Sequence, residues 1–159
     1  MRKTELEDRI ATLLGGRAAE EIIFNDISTG AHNDLSRATD IARSMIKEYG
    51  MSNRLGKVYF AHRDQGRFLQ PNRESGGEYS ETTANMIDEE VRSIIDEQYA
   101  VALRILKQNQ NILEETAATL LESEVIDGDA LNQLSAEVRK YTPDSGKFRS
   151  AATEHSLAA

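Results

Sequence analysis

The side chains best suited to chemistry in this sequence are one aspartate, Asp34, and three histidines, His32, His62 and His155. Asp34 lies in the stretch STGAHNDLSRATDIARSMIKEYGM, residues 28–51, where a short loop opens an amphipathic helix. A carboxylate in a first helical turn has two uses. It complements the positive end of the helix dipole, or it is one ligand of a metal whose other ligands lie elsewhere in the protein. His32 precedes it by two residues. Helical side chains two apart point to different sides, so the two make a poor chelating pair. His62 falls in a loop and His155 near the end of the chain, and all three histidines read as ordinary surface residues. Glu20 and Glu21 read as a solvated helix face. Asp88, Glu89, Glu90, Asp96 and Glu97 read as the wet side of another helix. The sequence has no H-E-x-x-H pair, no Gly-rich phosphate loop and no Walker motif. It also has no G-x-S-x-G elbow. On residue type and position alone, Asp34 is a helix-start acid.

Composition narrows the classes further. The chain has 159 residues, the length of one domain able to bury its own core. It has no cysteine, which excludes disulfides and thiolate metal sites. With 27 acids against 19 bases the formal charge is −8, against a nucleic-acid footprint of clustered Lys and Arg. No apolar run approaches the ~20 residues needed to span a bilayer, and no secretory leader is visible at the start, so the chain itself is expected to be soluble, without direct membrane contact. Two prolines and abundant Ala, Leu, Ile, Glu and Arg point to a mostly helical protein.

The elements that must hold Asp34 follow from periodicity. Leu6, Ile10, Leu13, Leu14, Ala18, Ile22 and Ile23 recur at helical spacing, giving a first helix over 4–23, with Thr4 and Glu7 as a capping box. Gly15 and Gly16 stand in its middle. They imply a second backbone passing close by, or a break into two shorter helices. Ser28 or Thr29 caps the next helix, whose apolar face is Leu35, Ala38, Ala42, Met45, Ile46 and Tyr49, and Gly50 ends it in the left-handed conformation. A short strand is expected over 57–61, then a polar, mobile loop over 63–77. Ser80 caps a helix over 81–108, about 40 Å long and the spine of the fold. After a turn at 109–111 a fourth helix runs over 112–122, with Leu113, Thr116, Ala117, Leu120 and Leu121 inward. Asp127 caps a last helix over 129–140. Residues 142–159 have little to bury and read as a disordered tail. The expected architecture is mainly α: a bundle of about five helices, one long and central, with at most one short strand, over residues 1–141.

Three segments carry more. LLGGRAAEEIIF (13–24), STGAHNDLSRATDIARSMIKEYGMS (28–52) and YSETTANMIDEEVRSIIDEQY (79–99) resemble, in order and spacing, the C-terminal part of the peptidase domain of FtsH-type membrane-bound AAA+ zinc metalloproteases. The resemblance covers about residues 4–141. It implies that Asp34 is the third zinc ligand, beside two histidines of an HExxH helix. Two histidines at i and i+4 share one helix face, and a carboxylate from a second helix completes the set. It further implies a zinc-bound water activated by the motif glutamate. Gly15 and Gly16 then let the HExxH helix approach closely, and Glu20 supports the zinc ligands from behind or serves the structure. One departure stands in RFLQPNRESGG, where Gln70 replaces a glycine common in the family.

The HExxH helix, the AAA+ module and the membrane anchor of such proteins fall outside this sequence. The chain is therefore expected to be a piece of an ATP-dependent zinc metalloendopeptidase, with no catalytic residue of its own and no activity in isolation. Zinc belongs to the intact enzyme, and ATP and Mg to its AAA+ module. The resemblance implies polypeptide substrates, a homo-hexamer, and a place on the cytoplasmic side of the bacterial inner membrane. The alternative is a non-catalytic helical assembly module that keeps the fold and lacks the chemistry.

Overall fold

The computed structural model describes residues 1–60 and 79–141. The expected loop over 63–77, His62, and the expected tail over 142–159 with His155 lie outside the described residues. Five helices follow one another: α1 (Lys3–Phe24), α2 (His32–Lys47), α3 (Glu81–Gln108), α4 (Gln110–Ser123) and α5 (Gly128–Glu137). The fold is a mainly α bundle, as the periodicity implies. Among the described residues there is no strand. Residues 57–60 form no ladder with another described segment; the Phe60 N–H instead donates to the Lys47 carbonyl at the end of α2, at 2.7 Å.

The chain divides into two compact units, Met1–Gln110 and the residues from Asn111 onward. In the first, α1 packs against α2 and α3, and α2 packs against α3. The core is Leu6, Ile10 and Leu14 of α1, Ala38, Ala42, Met45 and Ile46 of α2, and Ile87 and Val91 of α3. Their spacings of three and four residues place each set on one helix face. Ile10, Leu14, Met45 and Ile46 are the largest fully buried side chains, each contributing about 1.5–3 kcal/mol by leaving water. Ala38 and Ala42 are fully buried too; their short side chains set how closely α2 approaches its neighbours. Tyr49, expected on this face, is exposed, because the helix has ended at Lys47.

The helix ends differ in detail from the expected caps. α1 begins at Lys3, and the reciprocal acid is Glu5, whose carboxylate accepts the Arg2 N–H at 2.8 Å. Ser80 caps α3 and Asp127 caps α5 as expected, accepting from the N–H groups of Thr83 and Ala130. The last turn of α2 closes through the Met51 N–H, which donates to the Met45 carbonyl. Ser52 is buried; its hydroxyl donates to Glu90 at 2.8 Å and accepts from the N–H groups of Arg54 and Leu55. Arg54 also pairs with Glu89 and Glu90, at 3.1 and 3.5 Å. Glu90 therefore belongs to a buried-edge network that ties the 51–55 turn to α3, and not to the wet side of that helix. In the second unit, neither α4 nor α5 contains a buried residue. The stripe expected to face inward on α4 is largely exposed, Leu121 by 86%. The stripe exists in the sequence, but two short helices cannot supply a layer to cover it.

α1 is continuous through Gly15 and Gly16, and a Cβ added at either meets nothing within 4 Å. Gly50 is the opposite case. It has φ +59°, and an added Cβ meets the Lys57 Cα at 3.2 Å. Two substitutions are expected to act with opposite signs. Gly50→Ala lowers unfolding stability by about 1–2 kcal/mol, the cost of a left-handed L-residue. Gly16→Ala raises it by about 1 kcal/mol, the helix-propensity difference. Urea denaturation of the two variants checks both.

Candidate functional site

The candidate site centres on the junction between α1 and α2. α1 ends at Phe24, and Asn25 turns the chain with φ +49°, its N–H donating to the Glu21 carbonyl at 3.0 Å. Residues 26–31 then lead back to α2. The expected capping role of Ser28 or Thr29 is not what holds this loop. α2 has Ala31 at its N-cap with no side-chain cap. Its first turn is closed by the backbone: the His32 N–H donates to the Thr29 carbonyl, and the Leu35 N–H to the buried Ala31. Ser28 faces α1 instead. Its hydroxyl donates to Glu20 Oε1 at 2.6 Å, its N–H donates to Glu20 Oε2 at 3.1 Å, and its hydroxyl accepts the Gly30 N–H at 3.1 Å. A Cβ at Gly30 would meet that hydroxyl at 3.2 Å, so Gly30 lets the loop wrap around Ser28.

Glu20 is thus more than a solvated face. Both carboxylate oxygens are engaged by one loop residue, and these hydrogen bonds to the charged form hold the Glu20 carboxyl below its ordinary value. Glu21, one residue on, turns to α3 and accepts the Tyr99 hydroxyl. Burial, reinforced by this carboxylate, pushes the Tyr99 phenol up to about 12. The sequence pattern assigns no role to Tyr99, and it offers Ser28 only as a helix cap, not as a partner of Glu20. A usable signal was present: two acids at the end of a helix oppose its dipole and call for partners outside it.

Asp34 stands in the first turn of α2, half-buried. Its Oδ1 lies 4.0 Å from the Arg37 guanidinium, a partly exposed pair one turn along the helix that contributes little to stability. His32 is exposed at the start of the same helix. Among the described residues, no three His, Asp, Glu or Cys side chains converge as a metal site. Measured against a zinc centre, this part of the molecule presents one carboxylate on a rigid helix start, held by a braced loop. It does not form a zinc set from its described residues, and Glu20 is committed to Ser28. No helix among the described residues is long and apolar enough to cross a membrane.

This arrangement, a glycine-bearing helix, a Ser-Thr-Gly loop and an aspartate on the next helix, coincides with a family assignment: residues 1–134 match Peptidase family M41, and the chain belongs to that family. Among named relatives, it is 48% identical over 147 residues to the ATP-dependent zinc metalloprotease FtsH of Syntrophobacter fumaroxidans, covering 89% of this chain and 22% of that protein. It is 45% identical over 137 residues to ATP-dependent zinc metalloprotease FtsH 1 of Sphaerobacter thermophilus, covering 86% and 21%. To FtsH of Bacillus subtilis it is 47% identical over 133 residues, covering 83% and 21%. The chain spans about a fifth of the length of these relatives.

The Glu20–Ser28 bond has a pH signature. A carboxyl whose folded value is depressed adds stability that is fully present above the unfolded value of 4.5 and is lost as pH falls through the lower folded value. Ser28→Ala removes the hydroxyl, the larger cause, and keeps the N–H. It is expected to move the Glu20 titration midpoint upward toward the ordinary carboxylate range, read from the side-chain carboxyl carbon by NMR. An unchanged midpoint would show that Ser28 does not hold Glu20 in solution.

Proposed function

We propose that this chain is the helical part of the peptidase domain of an ATP-dependent zinc metalloendopeptidase, and that Asp34 is its contribution to the metal. The observation that carries this reading is the family match over residues 1–134, combined with the seat of Asp34. The side chain projects from the first turn of a helix whose start is held by the backbone and by the Glu20–Ser28 brace. A ligand carried on such a helix keeps its direction, and groups behind a ligand that fix its position tune the site. Two further ligands, the histidines of an HExxH helix, and the glutamate base come from outside this sequence. Bound zinc would polarise the scissile carbonyl and acidify a water molecule.

In this reading Asp34 orients a carboxylate toward the metal. Glu20 holds the loop that leads into Asp34. Gly15 and Gly16 leave α1 without side chains on the face where the HExxH helix would lie, in keeping with the open space around both. The substrates are polypeptides. ATP and Mg serve a separate AAA+ module, the working assembly is a homo-hexamer, and the enzyme sits on the cytoplasmic side of the bacterial inner membrane. These four points rest on the family resemblance. The chain by itself, in which Asp34 is joined by no zinc-ligand set among the described residues, is inactive.

The direct test is Asp34→Asn in the longer protein that carries this chain. It is expected to abolish peptidase activity and lower bound zinc while leaving ATP hydrolysis largely intact. Unchanged zinc content and proteolysis would remove Asp34 from the metal. In the isolated chain, calorimetric titration with zinc is expected to show no tight one-to-one site; such a site would mean that His32 and Asp34 cooperate.

A further inference from the structure

The end of α1 carries an arrangement that helix electrostatics disfavours. Glu20 and Glu21 lie close to the negative end of the dipole, and no basic residue occupies the last turn. Each acid is spent on a tertiary bond. Successive helical residues project about 100° apart, so the two carboxylates reach different neighbours. Glu21 accepts the Tyr99 hydroxyl from α3, and Glu20 accepts the hydroxyl and N–H of Ser28 from the loop. The Tyr99 ring packs against the core formed by the three helices. A tyrosine with its ring packed and its hydroxyl bonded has little freedom left, so it offers Glu21 a fixed point.

We propose that Tyr99 is a positioning residue for Asp34. Through Glu21 it fixes the last turn of α1. That turn carries Glu20, Glu20 holds Ser28, and the Ser28 loop runs into the first turn of α2, where Asp34 projects. The hydroxyl of a residue 65 positions away in sequence thereby sets the direction of the carboxylate. The functional meaning rests on the reading of Asp34 as a metal ligand. The mechanical coupling does not.

Amide hydrogen exchange on the full chain, followed by NMR without added metal, tests the coupling. In Tyr99→Phe the amide of Ser28, which bonds to Glu20 of α1, and those of Gly30, His32 and Leu35, which bond within the loop and the first turn of α2, are expected to exchange faster. The expected change is about 2- to 12-fold, the equivalent of one hydrogen bond. The Leu55 amide, held by Ser52 on the other side of α2, is expected to keep its rate and reports any general loosening. Glu21→Ala is expected to reproduce the effect without touching the Tyr99 ring. Glu21→Gln, which keeps an acceptor for the hydroxyl, is expected to retain protection like the unaltered chain. No change at the loop amides in Tyr99→Phe and Glu21→Ala, or an equal change at Leu55 in both, would overturn the proposal. If Asp34→Asn in the longer protein left zinc in place while these exchange rates responded as expected, the coupling would stand and the ligand reading would fall.

Discussion

The whole of the first unit hangs on one stripe of α1. Leu6, Ile10 and Leu14 must serve two neighbours at once, because α1 packs against both α2 and α3. A stripe that narrow can satisfy two helices only if one of them approaches closely, and Ala38 and Ala42, both fully buried, allow α2 to do so. Met45 and Ile46 then fill the space that the alanines leave one turn later. Close packing in such a core makes the relative position of α1 and α2 a fixed quantity. The loop between them is short, so the geometry of the core is passed directly to the start of α2.

Polar groups refine what the apolar core sets. The 51–55 turn is tied to α3 by the buried Ser52 and by Glu90. The 25–31 loop is tied to α1 by Glu20. Both ties use one serine whose hydroxyl donates to a carboxylate and accepts backbone N–H groups of its own loop. Such a serine satisfies loop amides that have no helical partner, at positions where the chain must reverse. The two loops bracket α2 at its beginning and just beyond its end. The helix that carries Asp34 is thereby held at both ends as well as along its apolar face.

Much of this was legible in the sequence. The α3 boundaries, the Ser80 and Asp127 caps and most core positions of α1 and α2 follow from local signals: side-chain period and cap chemistry act over a few residues. Gly50 was legible for the same reason, since a left-handed residue after a helix favours glycine wherever the fold lies. The family resemblance, carried by 13–24, 28–52 and 79–99, singled out Asp34 where residue type alone favoured a dipole partner. The misreadings share a cause. Ser28 looked like a cap because Ser-Thr-Gly before a helix is a cap pattern, but Glu20 competes for its hydroxyl from eight residues away. Glu21 and Glu90 looked solvated because acids usually are; their partners lie 78 and 38 positions distant. The short strand expected over 57–61 had the right residue types, but among the described residues there is no second strand to pair with it.

The sequence by itself determined the helices, their apolar faces and the residue type poised at the start of α2, because these depend on interactions between residues three or four apart. Only the tertiary structure decided which carboxylates are free and which are committed. Glu20 and Glu21 are adjacent and chemically identical, yet one holds a loop and the other a tyrosine, because the neighbours of a helix face are set by packing and not by chain order. The same holds for α4, whose apolar stripe was visible in the sequence while its exposure was not. Burial is a property of what lies opposite, and no local pattern contains it.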